Sequence, residues 1–423
     1  MIFSENLLHF IWEKKLFNEK LITVCGKSVE IIDTGKRNTN QGPDFLFSRL
    51  LIGNTEWAGN IELHLTTQEY TQHGHDNDSN YNNVILHVVW RHDYSAYSHS
   101  PILALSSFVN HDLLPFYAEL LKSQSIIPCI NSVLVRMDEP ISIWLNSLSD
   151  QRQLNRAIKF SELLHLFNGN WEEAIWIMLC RNFGLTVNSN SFNQLAFSIP
   201  YSLMKRYRDS RLSVEALLMG QAGILSAAFN DQYAKELWIE FNRLKALHNI
   251  EAHIPPVYFL RMRPTSFPTI RLAQLASFIE KINSLLTFCK SCESFESIQS
   301  FFNVEVTPYW DTHFVFDRLT VPQHKSLGHS FIVNLIINTI VPVLIAYGRM
   351  SGEKKYILQA NELLIQLPPE SNKVIKELKK IGVIPRNAKE SQSCLELYAM
   401  YCSKIQCVQC KIGSSLIVRD WQC

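Results

Sequence analysis

WAGNIELHLTTQEYTQHGHDND, residues Trp57 to Asp78, decides how the front of this chain folds. Its first half alternates, with Ile61, Leu63 and Leu65 on one side and Glu62 and His64 on the other. That is the period of two of a strand with one face buried and one face toward solvent. From Thr66 the residues turn polar, and His73 and His75 flank Gly74 in a loop. The stretch therefore predicts a strand, a loop and four side chains suited to metal ligation or proton transfer. Glu62 and His64, fixed on a strand, are the stronger site candidates.

Upstream, Phe47 to Ile52 (FSRLLI) reads as a strand, and Gly53-Asn54 turns it into Trp57 to Leu65 as a hairpin. Lys27 to Ile32 is a further strand, and Asn38 to Pro43 (NTNQGP) is a turn cluster. Downstream, Asn83 to Trp90 (NVILHVVW) is apolar almost throughout, as expected of a strand buried on both sides, and Pro101 to Val109 predicts a last strand. The first residues predict an amphipathic helix capped by Ser4 rather than a signal peptide. From Ile141 the period becomes helical: 141–167, 171–183, 214–228, 232–248, 269–289, 329–347 and 355–364. The expected fold is α+β. A mixed-sheet α/β domain at 1–128 precedes a larger all-α domain at 129–393 and a cysteine-rich, metal-binding C-terminal segment at 394–423. A chain of 423 residues is long for a single core.

Composition restricts the partners. A net charge of +1 gives no global field toward nucleic acid or membrane. Residues 1–110 nevertheless hold 8 basic and 12 acidic side chains, and seven of the 14 histidines fall in the first 100 residues: His9, His64, His73, His75, His87, His92 and His99. Phe331 to Gly348 is uncharged, but Asn334, Asn338 and Pro342 interrupt it, so a buried core helix is expected and no membrane span. Ten irregularly spaced cysteines point to thiols in a reducing, cytoplasmic setting. No phosphate-binding loop, dinucleotide fingerprint or nucleophile elbow is present. Nothing in the sequence sets an oligomeric state.

The combination of GPDF (Gly42–Phe45), W-x-G-x-I-E-x-H (Trp57–His64), HGH (His73–His75) and NVILHVVW resembles an uncharacterised bacterial family, domain-of-unknown-function family 2851. RNFG (Arg181–Gly184), EALLMGQAGIL (Glu215–Leu225), RPTSFPTIRLAQLA (Arg263–Ala276), the pair Tyr309-Trp310 and the cysteine tail extend the likeness over nearly the whole chain, with no activity attached. The front also resembles PD-(D/E)-x-K nucleases of restriction-endonuclease-like fold. Pro43-Asp44 precedes Glu62-Leu63-His64, with 17 residues between Asp44 and Glu62. That resemblance implies Mg²⁺ or Mn²⁺ held by Asp44 and Glu62, with His64, in place of the usual lysine, positioning or activating water against DNA or RNA. The alternatives are a non-catalytic binding or scaffold protein with a degenerate site, and a Zn²⁺ or Fe²⁺ site drawn from Glu62, His64, His73, His75 and His87.

Two further groups stand apart. Cys402-x4-Cys407-x2-Cys410 is good thiolate spacing for Zn²⁺ or an iron–sulfur cluster. Cys394 is the expected fourth ligand, with Cys423 or the pair Cys289 and Cys292 as alternatives. Arg261, Arg263 and Arg271 gather before a helix near Thr269 and are candidate phosphate contacts, or surface ion pairs.

Overall fold

The alternation around Glu62 forms a 12-residue strand that organises a seven-stranded mixed sheet. Its strands are β1 (Leu21–Ile22), β2 (Ser28–Asp33), β3 (Lys36–Arg37), β4 (Phe45–Ile52), β5 (Thr55–Thr66), β6 (Val84–Arg91) and β7 (Ile102–Ala104). The order is β1-β2-β4-β5-β6-β7, with β3 beside β4. Pairing is antiparallel from β1 to β5 and parallel for β5 with β6 and β6 with β7. The Gly53-Asn54 hairpin sets Ile52 opposite Thr55, and the parallel register sets Glu62 opposite His87.

Helices α1 (Glu5–Glu13) and α2 (Gln68–Gln72) both pack against β5. Ser4 accepts a hydrogen bond from Leu7 N–H and starts α1 as expected. The cover corrects one expectation: the Glu62 and His64 face is not a solvent face, since the two residues are 4% and 1% exposed. A carboxylate and an imidazole at that depth need partners or a ligand.

This computed structural model describes residues 4–18, 20–38, 40–93, 100–109, 113–131, 139–250 and 255–422. His99 and Cys423 lie outside them. The chain divides into two compact units: Met1–Leu145 with Asn372–Ile384 and Cys394–Cys423, and Asn146–Ser371 with Pro385–Ser393. The cysteine-rich segment thus belongs to the first unit.

The second unit is helical. Trp171–Phe183 and Gln232–His248 form with the expected bounds. The expected 269–289 helix breaks into Pro268–Lys281 and Leu285–Ser291, because Ser284 takes an extended conformation and caps the second piece. His329–Ser351 is long and apolar enough to cross a membrane, yet it lies mostly buried within the core of this unit. Ahead of Pro342, which cannot donate a backbone hydrogen bond, it widens into a π turn at Ile336–Ile340. Trp310 is fully buried, and Glu215 beneath it accepts hydrogen bonds from Trp310, Tyr233 and Thr307.

Candidate metal centre

Gly59 delivers the site. A Cβ there would stand 2.4 Å from Ile85 Cγ2 and 2.7 Å from the Asn83 carbonyl oxygen, so only glycine lets β6 enter beside β5 at this point. Asn60 N–H donates to that same carbonyl at 2.8 Å. At the far end of β5, the Glu69 carboxylate accepts from Leu65 and Thr66 N–H and fixes the turn into α2. Gly42, at φ +104°, bends the NTNQGP loop, and the Asn38 side chain donates to Gln41 and Pro43 carbonyls, which sets Asp44 at the mouth of β4.

Asp44 and Glu62 meet there. Asp44 N–H donates to Glu62 Oε2 at 3.1 Å, and Leu63 N–H donates to Asp44 Oδ2 at 3.0 Å. Each carboxylate is held by the other residue's strand. From α1, Glu5 and His9, one helical turn apart, join Asp44 as three ligand atoms within 4.8 Å of one another. Arg37 approaches His9 Nδ1 at 3.2 Å; arginine only donates, so Nδ1 accepts and Nε2 faces Asp44 Oδ2 at 3.2 Å. That contact is too poorly aligned to be a hydrogen bond, and the buried Nε2 is left without one.

The imidazoles form a second, adjoining group. His64, His73 and His75 also bring one ligand atom each within 4.8 Å of the others. Glu62 Oε1 lies 3.3 Å from His75 Nε2 and 3.6 Å from His64 Nε2. Behind them, His64 Nδ1 and His87 Nε2 share a hydrogen bond at 3.0 Å, which turns His64 Nε2 toward the group. A ligating imidazole is held by its other nitrogen in this way. Tyr81 stacks on His75 with ring centroids 3.9 Å apart, and Tyr70 stands edge-on to His64 and His75. His73 and Glu5 are exposed, so the cluster opens to solvent along that rim.

Burial sets the protonation of the cluster. Burial, then the Asp44 charge, pushes the Glu62 carboxyl up to about 9. Burial, then neighbouring imidazoles, pushes His64 down to about 2 and His87 down to about 4. These histidines are neutral at pH 7, the form that binds metal. Glu62, His64, His73 and His75 all converge, so the loop histidines belong with the strand pair and not behind it. Sequence reasoning missed Glu5, Tyr70 and Tyr81 and gave His9 no role. The Glu5/His9 spacing within an otherwise apolar helix face was the available signal.

A family model described as "Protein of unknown function (DUF2851)" matches residues 5–373. The chain belongs to that family. No curated protein and no solved structure matches it. In this member of the DUF2851 family, the matched range includes every residue of the front cluster and stops before Cys402.

The remaining expectations fall elsewhere. Arg271 lies within the helix Pro268–Lys281 and not on the loop before it. It is buried in the second unit, its guanidinium 3.7 Å from the Phe331 ring and bonded to Gln274 and Ser266, and burial lowers its pKa to about 10. Arg261 and Arg263 are exposed on the loop before it. Cys289 and Cys292 are buried in the second unit, while Cys402, Cys407 and Cys410 belong to the first. The thiol that stands with those three is Cys129, which sequence reasoning did not consider. It is the electrostatic neighbour of each. Cys394 is buried on the helix Ala388–Met400.

Proposed function

We propose that the first unit is a metal-dependent phosphodiesterase acting on nucleic acid in the cytoplasm. The observation that carries this reading is the union of Asp44, at the mouth of β4, and Glu62, on β5, with three imidazoles within ligand reach of one another beside them. The Glu5 and Asp44 carboxylates, joined by Glu62 once it gives up its proton, would by themselves repel a phosphodiester. A divalent cation reverses that sign.

Two positions suit different ions. Glu62 with His64, His73 and His75 is a nitrogen-rich set that favours Zn²⁺, Fe²⁺ or Mn²⁺ over Mg²⁺. Glu5, Asp44 and His9, with two carboxylates, suit Mn²⁺ or Mg²⁺. Metal bound there supplies Lewis-acid polarisation of the phosphoryl group and acidifies water. His87 holds the tautomer of His64, Tyr81 holds the ring of His75, and exposed His73 stands at the rim where substrate enters. His64 is too enclosed by imidazoles to replace the lysine of the nuclease pattern as a free base. Its role on this reading is ligation.

The test is cleavage of labelled single- and double-stranded DNA and RNA with Mg²⁺, Mn²⁺ or Zn²⁺. Wild type runs beside Asp44→Asn, Glu62→Gln and His73→Ala. The expected result is metal-dependent cutting that falls by about two orders of magnitude or more in each variant, the scale of losing a metal-centred step. Equal cutting in all four proteins would assign the activity to a contaminant. Metal binding without cutting of any nucleic acid would favour the scaffold reading.

A further inference from the structure

The segment carrying Cys402, Cys407 and Cys410 is built from tight turns. Cys402–Lys404 is a single 3₁₀ turn, closed by Ile405 in the left-handed region at φ +54°. Cys410 N–H donates toward Gln406 and Cys407 carbonyls, folding Cys407 and Cys410 into one knuckle. The helix Lys411–Gln422 starts at once, and its Ile412 and Gly413 N–H groups point at the Cys410 sulfur. Gly413 is required: a Cβ there would stand 2.3 Å from the Cys407 carbonyl oxygen. That helix packs on α3 (Leu113–Lys122), and the chain leaving α3 reaches Cys129 in the turn closed by Ile130 N–H to Ile127 carbonyl.

We propose that Cys129, Cys402, Cys407 and Cys410 form a four-thiolate site that binds a zinc ion or an iron–sulfur cluster and fastens the C-terminal segment to the loop after α3. Four ligands close a structural site, and a C-x2-C knuckle with N–H groups aimed at sulfur is suited to holding thiolate charge. The sulfurs are thiols, not disulfides, and three of the four residues are buried. Every pair among the four interacts electrostatically, and after burial itself the largest influence on the Cys407 thiol is Cys129. Four neighbouring thiolates repel one another unless a cation stands between them. A metal that displaces the four thiol protons supplies that cation. The site is independent of the front cluster, whose ligands are imidazoles and carboxylates.

The test uses the full chain produced with zinc and iron supplied. Titration of the native protein with a mercurial reads thiolate-bound metal alone, because metal on imidazole and carboxylate is not released by blocking thiols. The expected result is metal stoichiometric with the chain, released in step with modification of four thiols. Colourless zinc and a visible charge-transfer absorption distinguish the two metals. Cys129→Ser and Cys410→Ser should fall to background, while Cys394→Ser keeps its metal. Cys129→His, which preserves a four-ligand set, should retain zinc if zinc is the ion. Wild-type metal content in Cys129→Ser, or no thiol-releasable metal in the wild type, would overturn the proposal. The wild-type titration needs no variant to fold.

Discussion

Burial and the adjacent Asp44 charge keep Glu62 protonated up to about pH 9, so an incoming metal must displace that proton. His64 and His87 are already neutral and contribute no further proton. Apparent affinity of the front cluster for Zn²⁺ or Mn²⁺ should therefore strengthen as pH rises from about 6 to 8, with proton release. Titration calorimetry in buffers of different ionisation enthalpy measures this, and Glu62→Gln should flatten the dependence. For the metal-free protein the sign reverses. A carboxyl whose folded pKa lies above its ordinary 4.5 makes the folded state bind more protons than the unfolded one, so its contribution falls as pH rises from 4.5 toward 9. His64 and His87, lowered from 6.5, oppose it below about pH 6.5, and the net fall is expected from about pH 7 toward 9. Metal-free melting temperatures that rose between about pH 7 and 9 would contradict the arrangement. At this scale the sequence was legible where donors are local: Glu62 and His64 sit two apart, and His73 and His75 flank a glycine. Glu5 and His9 were hidden because only the docking of α1 on β5 brings them to Asp44.

Strand β5 shows why an element's period predicts its conformation better than its surroundings. Alternation placed the strand and its hairpin correctly, but an exposed face and a face covered by two helices have the same pattern when the buried residues are polar. The helical joints show a related limit: one apolar run became two helices around Ser284 because a serine cap competes locally with helix continuation. Gly59 is the element's weak point. Gly59→Ala should destabilise the first unit by about 1–3 kcal/mol, the usual cost of overpacking, and weaken metal binding with it. Denaturant unfolding with and without Zn²⁺ reads both, and a stability equal to wild type would show that β6 can yield at Asn83.

The two units divide the chain between a sheet that gathers the titratable cluster and a helical body whose buried Glu215 is already satisfied. Glu215 has three donors, Tyr233, Thr307 and Trp310, and needs no ion. Glu215→Ala would strand those donors and should cost on the order of 3 kcal/mol, while leaving metal content at the front cluster unchanged. Calorimetry with metal analysis checks that separation; loss of front-site metal would show the units to be coupled. Sequence order suggested three domains, but the last cysteines return to the first unit, and a lone Cys129 in mid-chain gave no sign of it. The central claim is that Glu62, His64, His73 and His75 hold a metal. Anomalous diffraction at the absorption edge of zinc or manganese, from crystals of the metal-loaded chain, tests it most directly. The account predicts a peak bounded by Glu62 Oε1, His64 Nε2 and ring nitrogens of His73 and His75. A fully loaded crystal with no anomalous density there would contradict it.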